Sequence, residues 1–167
     1  MIQLYTGDGK GKTTAALGAA LRAAGAGKKV FIAQFCKGRK YSELNAIKKI
    51  KNIRLEQFGT KCFINNKPSS VDFRQAKRGI EKVREVIENK QYQMIILDEI
   101  CIAIYYKLVP LEEVLTLCKK VGREAEIILT GRNAPKELIK QADLVSYISE
   151  IKHYYHKGIK ARRGIEF

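Results

Sequence analysis

The chain has 167 residues, enough for one domain with a sizeable core, and its 46% apolar and 29% charged residues are the balance of a folded soluble protein rather than a disordered or fibrous one. No apolar run approaches the roughly 20 residues of a membrane-spanning helix, and the first residues pass straight into a strand-like run, so no membrane span or secretory leader is expected and the cytoplasm is the expected location. The formal charge of +15 comes from 32 Lys and Arg against 17 Asp and Glu; it suits a polyanionic ligand, an acidic protein partner, nucleic acid or simply a solvated basic surface.

In chain order, Ile2–Thr6 is a short apolar strand ending at Gly7. Residues 12–24 are rich in alanine and leucine, lack proline, and predict a helix that stops at Gly25 and Gly27. Val30–Phe35 is a second strand, mostly apolar as expected when both its faces are covered. Residues 42–51 read as a helix, and Ile53–Phe58 alternates like a strand before a polar loop with Gly59, Asn65, Asn66 and Pro68. Ser69 or Ser70 can cap the next helix. In that helix Phe73, Ala76, Ile80, Val83 and Ile87 recur at three- and four-residue steps and predict a core-facing stripe. Residues 94–97 form a strongly apolar strand that ends in Asp98 and Glu99, after which a further helix is expected. Pro110 fits the first position of another helix, with Leu111, Val114, Leu115, Cys118 and Val121 as its stripe. Glu126–Thr130 is a strand, residues 135–141 a short helix and residues 144–148 a last strand.

Strands alternating with helices predict an α/β fold, with a mostly parallel sheet and helices on both faces, in a single domain over residues 1–167. Cys36, Cys62, Cys101 and Cys118 never form a C-x-x-C pair, which points to reduced thiols; Cys101 and Cys118 fall in apolar stretches and are expected in the core. The segment after Glu150 is less regular and carries His153, His156, Lys160, Arg162 and Arg163. The two histidines have a spacing seen in metal sites, but no third or fourth ligand accompanies them, and an ordinary loop role is the favoured reading.

The sharpest signal is Gly7, Asp8, Gly9, Lys10, Gly11, Lys12, Thr13 and Thr14, between a strand and a helix. Glycines let backbone N–H groups turn toward one anion, and the following helix adds its positive N-terminal end. Lys12 can reach the outer phosphates of a nucleotide and Thr13 can offer its hydroxyl to Mg²⁺. Gly7 and Gly11 enclose three residues, one fewer than the common phosphate loop, so the standard γ-phosphate geometry does not carry over. Asp98 and Glu99 supply carboxylates for the metal or its waters, with a helix cap as the plainer role for either. Thr130, Gly131 and Arg132 end a strand at the same edge, where parallel sheets hold their ligands, so Arg132 is a candidate phosphate contact beside the plainer reading of a surface arginine.

This combination resembles the corrinoid adenosyltransferases of the BtuR type. The likeness is carried by the short loop from Thr6 to Thr14, Gln34 and Phe35 followed by Lys37 and Gly38, Leu97-Asp98-Glu99, Thr130-Gly131-Arg132, Ala142-Asp143-Leu144-Val145-Ser146, and the tail from Lys152 to Phe167. It runs the length of the chain in order. The resemblance implies a RecA-like P-loop fold, usually a homodimer, that transfers the 5′-deoxyadenosyl group of ATP to cobalt in a reduced corrinoid and releases triphosphate. By analogy Lys12 and the loop hold the triphosphate, and Thr13 and Glu99 bind Mg²⁺ or Mn²⁺, with Asp98 behind them or in their place. The corrin-facing loop corresponds to Phe58, Gly59, Thr60, Lys61, Cys62, Phe63 and Ile64. That loop often carries an aromatic pair including Trp; this chain has no Trp, so Phe63 is the candidate for the lower face of the corrin. Asp8 also departs from the family, which often has Asn there.

Two other classes share the loop. Residues 35–67 carry nine Lys and Arg against two Asp and Glu, with Tyr41, Phe58 and Phe63 interspersed, as a nucleic-acid-dependent ATPase could use. A small-molecule kinase is the other, and it requires ADP as product. No recognised nucleic-acid module appears in the sequence, and the positive charge equally suits an acidic electron donor such as a flavodoxin.

Overall fold

The computed structural model describes residues 1–60, 67–122 and 125–167. Among these, β1 (Ile2–Thr6), β2 (Val30–Phe35), β3 (Ile53–Phe58), β4 (Met94–Asp98), β5 (Glu126–Thr130) and β6 (Leu144–Tyr147) form a single sheet in the order β3-β2-β4-β5-β1-β6. Every pairing is parallel, so all the strands end at one edge. That edge is where ligands bind in open sheets of this kind.

The near-continuous apolar runs of β2, β4 and β5 follow from burial on both faces. Phe31, Ala33, Phe35, Ile95, Leu97, Ile127 and Leu129 join one core cluster, and Val30, Ile32, Met94, Ile96 and Ile128 the opposite one. The second is covered by α1 (Lys12–Gly25) through Ala16, Ala20, Ala23 and Ala24, and by Ile47 of the short α2 (Glu43–Ile47). The first is covered by α3 (Ser70–Glu88), α4 (Ile100–Tyr105), α5 (Leu111–Lys120) and α6 (Lys136–Gln141). Small alanines on α1 let that helix lie close to the strands that flank the glycine loop.

Most expected elements appear within a residue or two, and the differences have physical causes. The helix expected over residues 42–51 ends at Ile47, its one buried side chain. From there Lys49 and Ile50 donate to carbonyls three residues back (3.1 and 2.9 Å), tightening the chain so that it re-enters the sheet at Ile53. Pro110 and Pro135 sit just before their helices rather than inside them, with ψ of 135° and 145°.

Ser69 caps α3 in a reciprocal capping box with Asp72. The packed face of α3 begins at Ala76, not at Phe73, which is 45% exposed. The reason lies at Gly79: a Cβ there would stand 2.7 Å from Phe35 and 2.8 Å from Phe58. Those two aromatics end β2 and β3, so the first turn of α3 lies beyond the strand ends and has no sheet beneath it. The α5 stripe is wider than its spacing implied, because Leu117 is buried beside Val114 and Cys118.

Cys101 and Cys118 are core residues, and burial pushes their thiols, with that of Cys36, up to about 12. Cys62 lies outside the described residues. No described helix is long and apolar enough to cross a membrane.

Candidate nucleotide site

The loop between β1 and α1 is shaped by two glycines with positive φ, Gly7 at 103° and Gly11 at 122°. Gly7 also passes so close to the chain after β6 that a Cβ would lie 2.4 Å from the Ile148 carbonyl oxygen. Gly9 N–H donates to that same oxygen (2.8 Å), which fastens the loop to the end of the sheet. Gly11 caps α1 with no side-chain hydrogen bond, so the first N–H groups of a 14-residue helix open onto the cleft. Lys12 folds back over the loop: its Nζ donates to Gly9 O (2.7 Å), and only 7% of the residue is exposed. Burial lowers its pKa from the ordinary lysine value, with the Glu99 carboxylate partly opposing that shift.

Asp98, the last residue of β4, is 1% exposed and fully engaged. Its Oδ1 accepts from Thr13 (2.8 Å) and Thr130 (2.7 Å); its Oδ2 accepts from Gln34 (3.1 Å) and Lys37 (2.7 Å). Lys37 Nζ also donates to the Thr13 hydroxyl (3.0 Å). Burial works against the Lys37 ammonium, but the charges of Asp98 and Glu99 outweigh it and raise its pKa. The chain turns at Glu99 through a left-handed conformation (φ 59°), unusual for a non-glycine residue and of the kind that clusters at functional sites. Thr130 holds this turn by accepting the Glu99 N–H at 2.9 Å. The Glu99 carboxylate faces the cleft, and its pKa is raised by burial and then by the neighbouring Asp98.

Arg132, just past β5, reaches back to the loop and donates to Asp8 O (3.0 Å), while Thr6 Oγ1 donates to Gly131 O (2.8 Å). The Asp8 side chain itself is exposed. Lys10 turns away from the loop and joins the tail, donating to Tyr154 (2.7 Å) and Glu166 (2.8 Å). Glu166 also accepts hydrogen bonds from the Tyr154 hydroxyl and the Arg162 N–H, and its carboxyl is held far below the usual range by Lys10 and Tyr154. His153 accepts from Tyr155 N–H (3.0 Å) and His156 meets Glu150 (2.6 Å). Among the described residues no three His, Cys, Asp or Glu side chains gather as a metal cluster.

Loop, Lys37, Tyr41, Glu99, Arg132 and tail enclose a cleft of about 1020 Å³. Thus Lys12, Thr13, Asp98, Glu99 and Arg132 meet at one place, with Gly9, Gly11 and Thr14 lining it and Gly7 packed behind them against Ile148. Phe63 lies outside the described residues. Sequence reasoning assigned no role to Gln34 and Lys37. Both follow from β2 lying beside β4, with Gln34 opposite Asp98 in register, a neighbourhood that no local pattern states.

The oxygens of Thr13, Asp98 and Glu99 are hard donors of the sort Mg²⁺ or Mn²⁺ takes together with phosphates and water. An ammonium already sits on two of them, since Lys37 Nζ contacts both Thr13 and Asp98. The donor set therefore fits a cation.

A parallel sheet whose first strand runs through a glycine loop into a helix, with a buried acid on a neighbouring strand end, defines a P-loop protein of the α/β class. The chain belongs to the family described as ATP:corrinoid adenosyltransferase BtuR/CobO/CobP, which it matches over residues 1–167. It is 30% identical to the corrinoid adenosyltransferase of Escherichia coli K12, across 100% of this chain and 85% of that one. Identity to the corrinoid adenosyltransferase of a Sinorhizobium species is 34%, across 100% and 80%, and to corrinoid adenosyltransferase CobA of Salmonella typhimurium 30%, across 100% and 85%. Membership makes this chain a transferase that uses ATP to adenosylate a corrinoid.

Proposed function

We propose that the protein joins the 5′-deoxyadenosyl group of ATP to the Co(I) centre of a reduced corrinoid, cobalamin or an incomplete precursor, and releases inorganic triphosphate. The electron pair of Co(I) forms the Co–C bond at C5′, and the C5′–O bond breaks with its electrons leaving on the triphosphate. A nucleophile without a proton needs no general base. The work left to the protein is to hold C5′ in line and stabilise the charge that builds on the leaving group.

The observation that carries this reading is the shortened loop, closed between Gly7 and Gly11, with Lys12 buried at its centre and Thr13 tied to Asp98. Lys12, the loop N–H groups and Arg132 take the triphosphate; Thr14 lines the same cleft. Thr13 and Glu99 hold Mg²⁺, with Asp98 orienting Thr13. The ion, when bound, neutralises charge on the triphosphate. Lys10 and Asp8 shape the loop through the tail and Arg132. Phe63 covers the lower face of the corrin. The protein is a cytoplasmic homodimer, a single domain over its 167 residues, and its basic surface receives an acidic electron donor of the flavodoxin kind.

The test is anaerobic mixing with Mg·ATP and chemically reduced cobalamin. The expected products are a light-sensitive Co–C species and triphosphate in equal amounts. ADP instead of triphosphate, or no corrinoid product, overturns the reading.

A further inference from the structure

Among the described residues, Lys37 is the charged one of four side chains that hydrogen-bond Asp98. Its ammonium lies 2.7 Å from Asp98 Oδ2 and 3.0 Å from Thr13 Oγ1, and the side chain is 14% exposed. The Thr13 oxygen is one of those that hold the metal in the reading above, and Asp98 is the residue that orients it. Two cations cannot share that place, because like charges a few ångströms apart repel strongly beside side chains as buried as Lys37 and Asp98.

The backbone around Lys37 is pinned. Cys36 is left-handed (φ 55°), a Cβ on Gly38 would lie 2.5 Å from Gly59 O, and one on Gly59 would lie 2.4 Å from Lys37 N. Only the side chain is free to relocate. The Tyr41 ring, 5.6 Å from Nζ on the cleft wall, offers the ammonium a resting place on the way out.

We propose that Lys37 is a resident cation that changes places with the metal. In the nucleotide-free protein it balances the charge of Asp98 and holds Thr13; when the metal enters with ATP, its ammonium swings into the cleft and binds the triphosphate beside Lys12. It thereby becomes a second cation on the leaving group. This rests on the adenosyltransferase reading and deepens it. Its consequence is a pair of opposite effects that a merely structural lysine would not produce. Removing Lys37 weakens triphosphate binding, yet strengthens metal binding when no nucleotide is present.

The experiment uses Lys37→Met, with inorganic tripolyphosphate and Mn²⁺ as separate probes. With Mg²⁺ present, tripolyphosphate affinity falls about tenfold, the size of one lost charge-assisted hydrogen bond. Without nucleotide, Mn²⁺ binding followed by electron paramagnetic resonance tightens several-fold. If Mn²⁺ binding weakens or stays unchanged, or if tripolyphosphate affinity holds, the exchange is refuted. Lys12→Ala is the control: if it leaves tripolyphosphate affinity intact, the functional reading itself fails. If it abolishes binding while Lys37→Met does not, only the exchange fails. Should Lys37→Met not fold, nitrogen-15 lysine spectra of the wild-type protein decide. The Lys37 ammonium resonance must shift on adding Mg²⁺ together with tripolyphosphate, and a resonance that does not move refutes the proposal.

Discussion

The Thr130 hydroxyl donates a hydrogen bond to Asp98 Oδ1 at 2.7 Å, while Thr130 Oγ1 itself accepts the Glu99 N–H. One fully buried threonine on β5 thus holds both the acid that anchors Thr13 and the turn that aims Glu99. Thr130→Val keeps the shape and removes the hydrogen bonds, leaving a buried N–H unpaired. A stability loss of about 2 kcal/mol is expected by urea unfolding, with weakened Mn²⁺ binding. Thr130→Ser should retain most of both.

Glu99 makes the opposite trade. Burial and the adjacent Asp98 raise its folded pKa above the ordinary 4.5, so the folded protein binds its proton more tightly than the unfolded chain does. Stability from this group is therefore full below about pH 4.5 and is lost as pH rises through the folded pKa. Glu99→Gln removes that loss. The variant should unfold about 1 kcal/mol harder than wild type at pH 7, differ less at pH 4, and bind Mn²⁺ poorly. Equal stability at both pH values would contradict this account.

Glu166 shows the reverse sign, since Lys10 and Tyr154 depress its pKa. The tail contacts it makes are present above the unfolded value and are lost as pH falls through the folded one. Glu166→Gln should speed amide exchange across residues 160–167 at neutral pH while leaving the global unfolding midpoint unchanged. High salt should do part of the same in the wild-type protein, because these charges face solvent.

Gly79 sets two effects against each other. Alanine there gains about 1 kcal/mol of helix propensity, but its Cβ would meet Phe35 at 2.7 Å and Phe58 at 2.8 Å. Both rings are locked in the core, and overpacking costs about 1–3 kcal/mol. The clash should prevail, giving a net loss in thermal unfolding without a change in the site.

What the sequence determined by itself was everything that depends on near neighbours in the chain. The loop from Gly7 to Thr14 was legible because glycine torsions, a helix N-terminus and a lysine-threonine pair act within a few residues. Strand ends at Asp98 and Thr130 were legible from apolar runs that stop in polar groups, and the family from motifs spread along the chain. Only the tertiary structure decided who meets whom. Asp98 receives Gln34 and Lys37 because β2 lies beside β4, and Thr130 because β5 is inserted between β4 and β1. Lys10 belongs to the loop in sequence, and its ammonium meets Glu166, 156 positions away. Phe73 fits the α3 stripe by spacing yet lies past the sheet that would cover it. Periodicity tells which face of an element is apolar. It carries no term for strand order, and strand order places the charges of this site.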